Sequence, residues 1–223
     1  MYKLSGRLVA EAIGTFALIF FGCGAILVNP MPGAGYGLLG IALAHALALG
    51  IMITATMNVS GGHLNPAVTL GLLSIRRIDA GSAVAYIVAQ LAGAVLAALS
   101  LKAVLPSAMS ATGTLGTPAL ANTMSLQGGI ALEAILTFFL MSAVMGTAVS
   151  KDAPKVGGFA IGLVLLFDIL VGGTLTGAAM NPARAFGPAL VSGTWYAQPV
   201  WWIGPILGAI VAAQLWDRVI LKQ

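Results

Sequence analysis

The tripeptide Asn-Pro-Ala occurs twice, at Asn65-Pro66-Ala67 and Asn181-Pro182-Ala183, in the same setting each time. A Ser/Thr-Gly pair precedes each, in Ser60-Gly61-Gly62-His63 and Thr176-Gly177-Ala178-Ala179. A short, mostly apolar run follows, Val68 to Leu73 and Arg184 to Leu190. Asparagine is a good N-cap, and proline suits the first helical position because the N–H it lacks has no intrahelical partner. Each pair therefore marks a helix start inside a stretch apolar enough for lipid. Such a start presents unpaired N–H groups and the positive end of a helix dipole, equivalent to about half a charge. Interrupted segments at corresponding positions of two halves point to a transport site at the bilayer midplane.

Other residues able to do chemistry are few. Glu11, Glu133 and Asp168 lie within apolar stretches. A carboxylate in lipid is expensive and should face the bundle interior with a partner. Two acids without basic partners make a poor proton relay, so Glu11 and Glu133 read as structural support. The sequence does not show a partner for Asp168, for which support is the favoured reading over pore lining. Cys23, the single cysteine, forms no internal disulfide and reads as a small buried hydrophobe. Two histidines, one cysteine and scattered carboxylates supply no nucleophile–base pair and no metal cluster. The expectation is a protein that is not an enzyme and carries no cofactor or metal.

The elements that hold these residues follow from composition. The chain has 223 residues, 59% hydrophobic and 7% charged, with a mean hydropathy of +1.02, whereas a soluble domain is about 25% charged. An all-α integral membrane protein is implied. The net charge of +4 is not clustered on one segment, which argues against a nucleic-acid partner. Apolar runs of about 20 residues recur along the chain, so the first is not read as a cleaved signal peptide. Six full spans are expected, roughly at 8–28, 37–57, 81–101, 126–148, 157–174 and 199–219. Two further segments, about 64–73 and 180–190, are too short to span. At 1.5 Å per residue each is roughly 12–15 Å long, and two end to end match a hydrocarbon core of about 30 Å. They are expected to enter from opposite faces and meet in the middle.

Charge sets the orientation. Lys3, Arg7, Arg76, Arg77, Lys151, Lys155, Arg218 and Lys222 fall in the termini and in the 2–3 and 4–5 connections; only Lys102 falls in an opposite loop, and Arg184 lies in a half-helix. The positive-inside rule puts both termini in the cytoplasm and inverts one half relative to the other. The repeat shows again where Ala10–Phe16 (AEAIGTF) resembles Leu132–Phe138 (LEAILTF). Neither half looks able to stand alone, so residues 1–223 read as one domain, with halves of about 1–101 and 125–223 and a linker of about 102–124. Gly158-x-x-x-Gly162 and Gly204-x-x-x-Gly208 permit close helix approach. Trp195, Tyr196, Trp201 and Trp202 read as an aromatic belt at the outer interface.

The paired motifs, in Ser-Gly-Gly-His-Leu-Asn-Pro-Ala-Val-Thr and Met-Asn-Pro-Ala-Arg, resemble the aquaporin, or major intrinsic protein, family over essentially the whole chain. The passages Asp168–Gly173 and Met180–Ala189 are most similar to the plant tonoplast intrinsic proteins and the related ammonia-conducting branch. The resemblance implies an aquaporin-like bundle of six transmembrane helices plus two re-entrant half-helices with an inverted internal repeat, assembled as a homotetramer. It also implies that Glu11 and Glu133 accept hydrogen bonds from the re-entrant loops, and that the Asn65 and Asn181 amides donate toward a lumen. Water held there would point its oxygen at both donors, which breaks a proton wire. The short termini suggest a prokaryotic inner membrane.

In that family four residues outside the Asn-Pro-Ala centre set selectivity. By position they are His45, twenty residues before Asn65; Ile169, twelve before Asn181; Ala178, three before it; and Arg184, three after it. Non-helical backbone at membrane depth must be buried in protein or line a wet cavity. The loops bearing Gly61, Gly62, His63, Thr176 and Gly177 are thus expected to line the pore, with His63 in the cytoplasmic vestibule. His45 with Ile169 resembles the ammonia-permeable branch, whereas strict water channels have Phe and His there. Glycerol channels carry an aromatic pair around the arginine, which is absent here. The expected function is a passive channel for water, ammonia and other small neutral solutes that excludes protons and ions. A strict water channel or glycerol facilitator is the alternative, and a secondary transporter a remote one.

Overall fold

The computed structural model describes residues 2–105 and 113–221. Lys222 and part of the expected linker lie outside the described residues. Every regular element among the described residues is helical. In chain order they are α1 (Leu4–Val28), α2 (Gly37–Ser60), α3 (Pro66–Ser74), α4 (Ala80–Val104), α5 (Leu126–Val144), α6 (Phe159–Gly172), α7 (Pro182–Ser192) and α8 (Pro199–Leu215). Single π-helical turns, Met145–Val149 and Trp216–Ile220, extend α5 and α8.

Five of these helices are long and apolar enough to cross a membrane, counting the π-helical turns with α5 and α8. The expected fifth span is shorter: α6 has only 14 residues. Gly157 takes a left-handed φ of 57°, and the Gly158 N–H donates to Thr54 Oγ1 at 2.8 Å, so the chain turns before α6 can begin. Beyond Gly172 two further turns follow, with the Leu175 and Thr176 N–H groups both bonded to the Gly172 carbonyl. The span is completed by turns because the second re-entrant loop starts there.

The half-helices begin at Pro66 and Pro182, each capped by its asparagine. Asp79 caps α4 through the Ser82 N–H at 2.9 Å. Hydrogen bonds from Ser82, side chain first and backbone second, hold that carboxyl below its usual range.

Packing repeats between the halves. Helix α1 packs on α4 as α5 packs on α8, and α1 packs on α2 as α5 does on α6. The half-helices cross over: α3 lies against α8, and α7 against α4. In lipid the drive for such contacts is close packing rather than water exclusion. A Cβ on Gly93 would strike the Ala12 carbonyl, and one on Gly208 the Ala134 carbonyl, at matching places in the two halves. Outward faces carry Ile51, Val84, Val88, Phe139 and Val211, all exposed, as lipid contact requires.

Overpacking typically costs about 1–3 kcal/mol, more when backbone must move. Gly208→Val should therefore abolish monodisperse protein in size-exclusion chromatography. Gly6→Val, where nothing lies within 4 Å, should leave the profile unchanged. Equal profiles would show that the contact at Gly208 is not a packing constraint.

Candidate functional site

The site is built around two loops that cannot be helical. Gly61 (φ 96°), Gly62 (63°) and Leu64 (49°) in the first loop match Gly177 (80°), Ala178 (42°) and Met180 (51°) in the second. Left-handed backbone is strained for Leu, Ala and Met and persists only when the surroundings hold it. Two buried carboxylates do so. Glu11 Oε1 accepts from the Ser60 hydroxyl at 2.6 Å and the His63 N–H at 3.0 Å. Its Oε2 accepts from the Leu64 N–H and from Gln90 Nε2, both at 2.7 Å. Glu133 Oε1 accepts from the Thr176 hydroxyl at 2.7 Å and the Ala179 N–H at 2.9 Å, and Oε2 from the Met180 N–H at 2.7 Å.

The loop carbonyls are held by the same logic. The Tyr86 hydroxyl donates to Ser60 O at 2.7 Å, and Trp201 Nε1 donates to Thr176 O at 2.8 Å. Trp201 is fully buried, which corrects its assignment to an interfacial belt: its indole N–H serves a loop carbonyl. Trp195 and Trp202 instead meet the Phe186 ring edge-on, with centroids 5.9 and 6.2 Å away.

With the loops fixed, the half-helix starts meet. Asn65 Nδ2 donates to Met180 O at 2.8 Å, and Asn181 Nδ2 donates to Leu64 O at 2.9 Å. Each amide oxygen caps its own helix, Asn65 at the Ala67 N–H and Asn181 at those of Ala183 and Arg184. An amide nitrogen carries two hydrogens, and one is used in this exchange. Pro66, Ala67, Pro182 and Ala183 form the buried first turns behind the asparagines.

Two cavities flank the centre. The one on the Arg184 side has a volume of about 460 Å³, with His45, Ile169, Gly177 and Arg184 in its wall. Ala178 is not among its lining residues; its Cβ faces the position that a Cβ on Gly172 would take. Thr176 also stands behind the wall, bonded to Glu133. The far wall is the segment Gly116–Ala121, read from sequence only as linker. The Gly116 carbonyl accepts from Arg184 Nη1 at 2.7 Å. His45 Nδ1 lies 2.9 Å from Ile41 O. A carbonyl only accepts, so Nδ1 carries the proton, and in the neutral ring Nε2 is an acceptor.

The second cavity, about 250 Å³, is lined by Gly61, Gly62, His63, Val68 and Arg77 among others. His63 Nδ1 is 3.1 Å from Thr69 Oγ1. The Thr69 hydroxyl donates to Asn65 O and receives Gln90 Nε2, so His63 Nδ1 is the donor there.

Asp168 is buried, lines neither cavity, and its Oδ2 has no hydrogen-bond partner among the described residues. It sits on α6 next to Ile169, which lines the larger cavity. Sequence reasoning missed Tyr86, Gln90, Trp201 and Gly116. Tyr86 and Trp201 occupy matching places in the repeat, a signal open to a search for paired aromatic donors. Gly116 left no such signal.

The role of the two carboxylates is testable. An amide in place of either one sets an NH2 group against a loop N–H from which the carboxylate oxygen now accepts, Leu64 or His63 in the first loop and Met180 or Ala179 in the second. An unsatisfied buried group costs about 1–3 kcal/mol. Glu11→Gln and Glu133→Gln should therefore each lower the thermal midpoint in detergent; an unchanged midpoint in either would refute the argument.

A family model described as "Major intrinsic protein" matches residues 1–216. The chain is similar to Aquaporin TIP4-4 of Zea mays, 41% identical over 96% of this chain and 86% of that protein. It is also similar to Nodulin-26 of Glycine max, 39% identical over 96% and 77%. Among solved structures it resembles the aquaglyceroporin of Plasmodium falciparum, with a TM-score of 0.86, 26% identity, and coverage of 98% of this chain and 97% of that one. Several relatives are plant proteins, including Probable aquaporin TIP3-2 of Arabidopsis thaliana, so the prokaryotic inner membrane expected from the short termini gains no support from them. The chain belongs to the major intrinsic protein family, whose members are multi-pass membrane channels and not enzymes.

Proposed function

We propose that the chain is a passive channel passing water and ammonia in single file between the two cavities, while excluding protons and ions. The observation that supports this most is the paired amide donors of Asn65 and Asn181 at the junction of two half-helix N-termini. Two donors and two positive helix ends fix the orientation of a water molecule and repel cations. Arg184 adds a full charge beside the larger cavity. Both termini face the cytoplasm in this reading, which the distribution of Lys and Arg supports. The assembly is a homotetramer by family resemblance.

His45 and Ile169 favour ammonia. Isoleucine offers no hydrogen bond, and ammonia loses less than water on shedding its hydration because it hydrogen-bonds more weakly. The acceptor Nε2 of neutral His45 receives an N–H as that hydration is lost, while Arg184 turns ammonium away. The solved aquaglyceroporin raises glycerol as a second reading, but among the described residues the lining of the larger cavity includes no Phe, Tyr or Trp to seat a carbon chain. Stopped-flow permeability of reconstituted liposomes to water, ammonia and glycerol tests these readings together. Saturable or gradient-coupled flux would favour a transporter and overturn the channel reading.

Arg184→Val removes both charge and bulk from the larger cavity. It should raise proton or cation leakage in liposomes by about tenfold or more, the scale of about 1.4 kcal/mol on a barrier. Background conductance would mean that the arginine serves shape alone.

The double change His45→Phe with Ile169→His recreates the pattern of strict water channels. Water flux should be retained and most ammonia flux lost. Equal ammonia permeability in parent and variant would leave a plain water channel.

A further inference from the structure

Gly22 on α1 lies directly beneath the imidazole of His45. A Cβ built on Gly22 would sit 2.5 Å from His45 Cδ2, 2.5 Å from Nε2 and 2.9 Å from Cε1. Similar distances to three ring atoms place that Cβ over the face of the ring rather than at its edge. The in-plane lone pair of Nε2 is therefore not aimed at α1. Nδ1 remains tethered to the Ile41 carbonyl. His45 is buried, and it lines the larger cavity.

Carbon atoms in contact settle at about 3.5–4.0 Å. Any side chain at position 22 would push the imidazole by about 1 Å, and the cavity is the direction available. A file of small molecules passing His45 would lose that width. The neighbouring residue supports the opposite wall: a Cβ on Gly116 would lie 2.8 Å from Cys23 Cβ, and the Gly116 carbonyl holds Arg184. Gly22 and Cys23 thus back both polar sides of the cavity, which α1 itself reaches at Ile26.

We infer that Gly22 is a positioning residue that sets the aperture beside His45 by letting the imidazole recess against the α1 backbone. This rests on the reading of His45 as part of the permeation path. The competing account is a close helix contact between α1 and α2 with no bearing on flux. The two accounts differ in what Gly22→Ala does once the ring is gone.

Water and ammonia permeabilities are to be measured by stopped flow in liposomes, normalised to the folded channel counted per vesicle. The four proteins are the parent, Gly22→Ala, His45→Ala and the double variant. Gly22→Ala should lower water permeability by about tenfold in the parent, the scale on which one extra methyl is felt in a filled pocket. In the His45→Ala background the same change should have no effect, and recovery of flux in the double variant shows that the added methyl is compatible with folding. Equal losses in both backgrounds, or no loss in either, would overturn the inference. If His45→Ala itself leaves both permeabilities unchanged, His45 does not line the path, and the site reading fails with the inference.

Discussion

The structure depends on satisfying backbone N–H groups at membrane depth, where water is not at hand on the lipid side. Each unpaired group there would cost several kcal/mol. Both loops solve this with one carboxylate. Glu11 takes the His63 and Leu64 N–H groups, and Glu133 takes those of Ala179 and Met180. A carboxylate suits the task because it offers two oxygens and only accepts. Its own burial is compensated by these charge-assisted bonds, which are stronger than neutral ones. Without them Leu64 and Met180 have no reason to hold left-handed backbone. Their carbonyls would then lose the orientation that receives Asn181 and Asn65.

The two halves are consequently interlocked rather than adjacent. Each asparagine bonds the loop of the other half, and each half-helix packs on the last long helix of the other half. The position of one half-helix start thus depends on loop geometry in both halves. The asparagine pair behaves as one unit, with little freedom to drift along the membrane normal.

How much of this was legible in the sequence depended on whether a local rule or a tertiary contact decided it. Helix starts at Pro66 and Pro182 follow from capping chemistry, so they could be read directly. The six-span bundle with two half-helices follows from apolar length. Gly158, Gly162, Gly204 and Gly208 are spaced for close approach, and their Cβ positions are indeed occupied by neighbouring helices. The fifth span falls within two residues of its expected ends, and its helix starts at Phe159 because Gly157 and the bond from Gly158 N–H to Thr54 Oγ1 turn the chain just before it, a contact between distant residues. Trp201 was placed in a belt because interfacial and buried tryptophans look alike by type. Only the Thr176 carbonyl opposite it distinguishes them. The segment Gly116–Ala121 looks like a linker because it lies in a stretch rich in Ser, Thr, Gly, Ala and Pro. What it contributes to the site is a backbone oxygen, which no side-chain pattern reports.

The repeat explains why there is a path, and the departures from it explain why the two ends differ. The residue three past Asn65 is Val68, whereas three past Asn181 is Arg184, and each lines the cavity on its own side. The loop residue two before the asparagine is His63 in one half and Ala179 in the other. Gln90 reinforces Glu11, while Asp168 stands in the second half with no partner for Oδ2 among the described residues. A symmetric molecule would present the same wall to both sides and could do little more than conduct. Arg184, the acceptor nitrogen of His45 and the Gly116 carbonyl stand together at one cavity, which is where the function proposed above would do its discriminating. The other side keeps a shorter list of polar groups. The carboxylate and asparagine contacts that hold the loops repeat in both halves, so the two ends differ without any change in what holds the half-helix starts together.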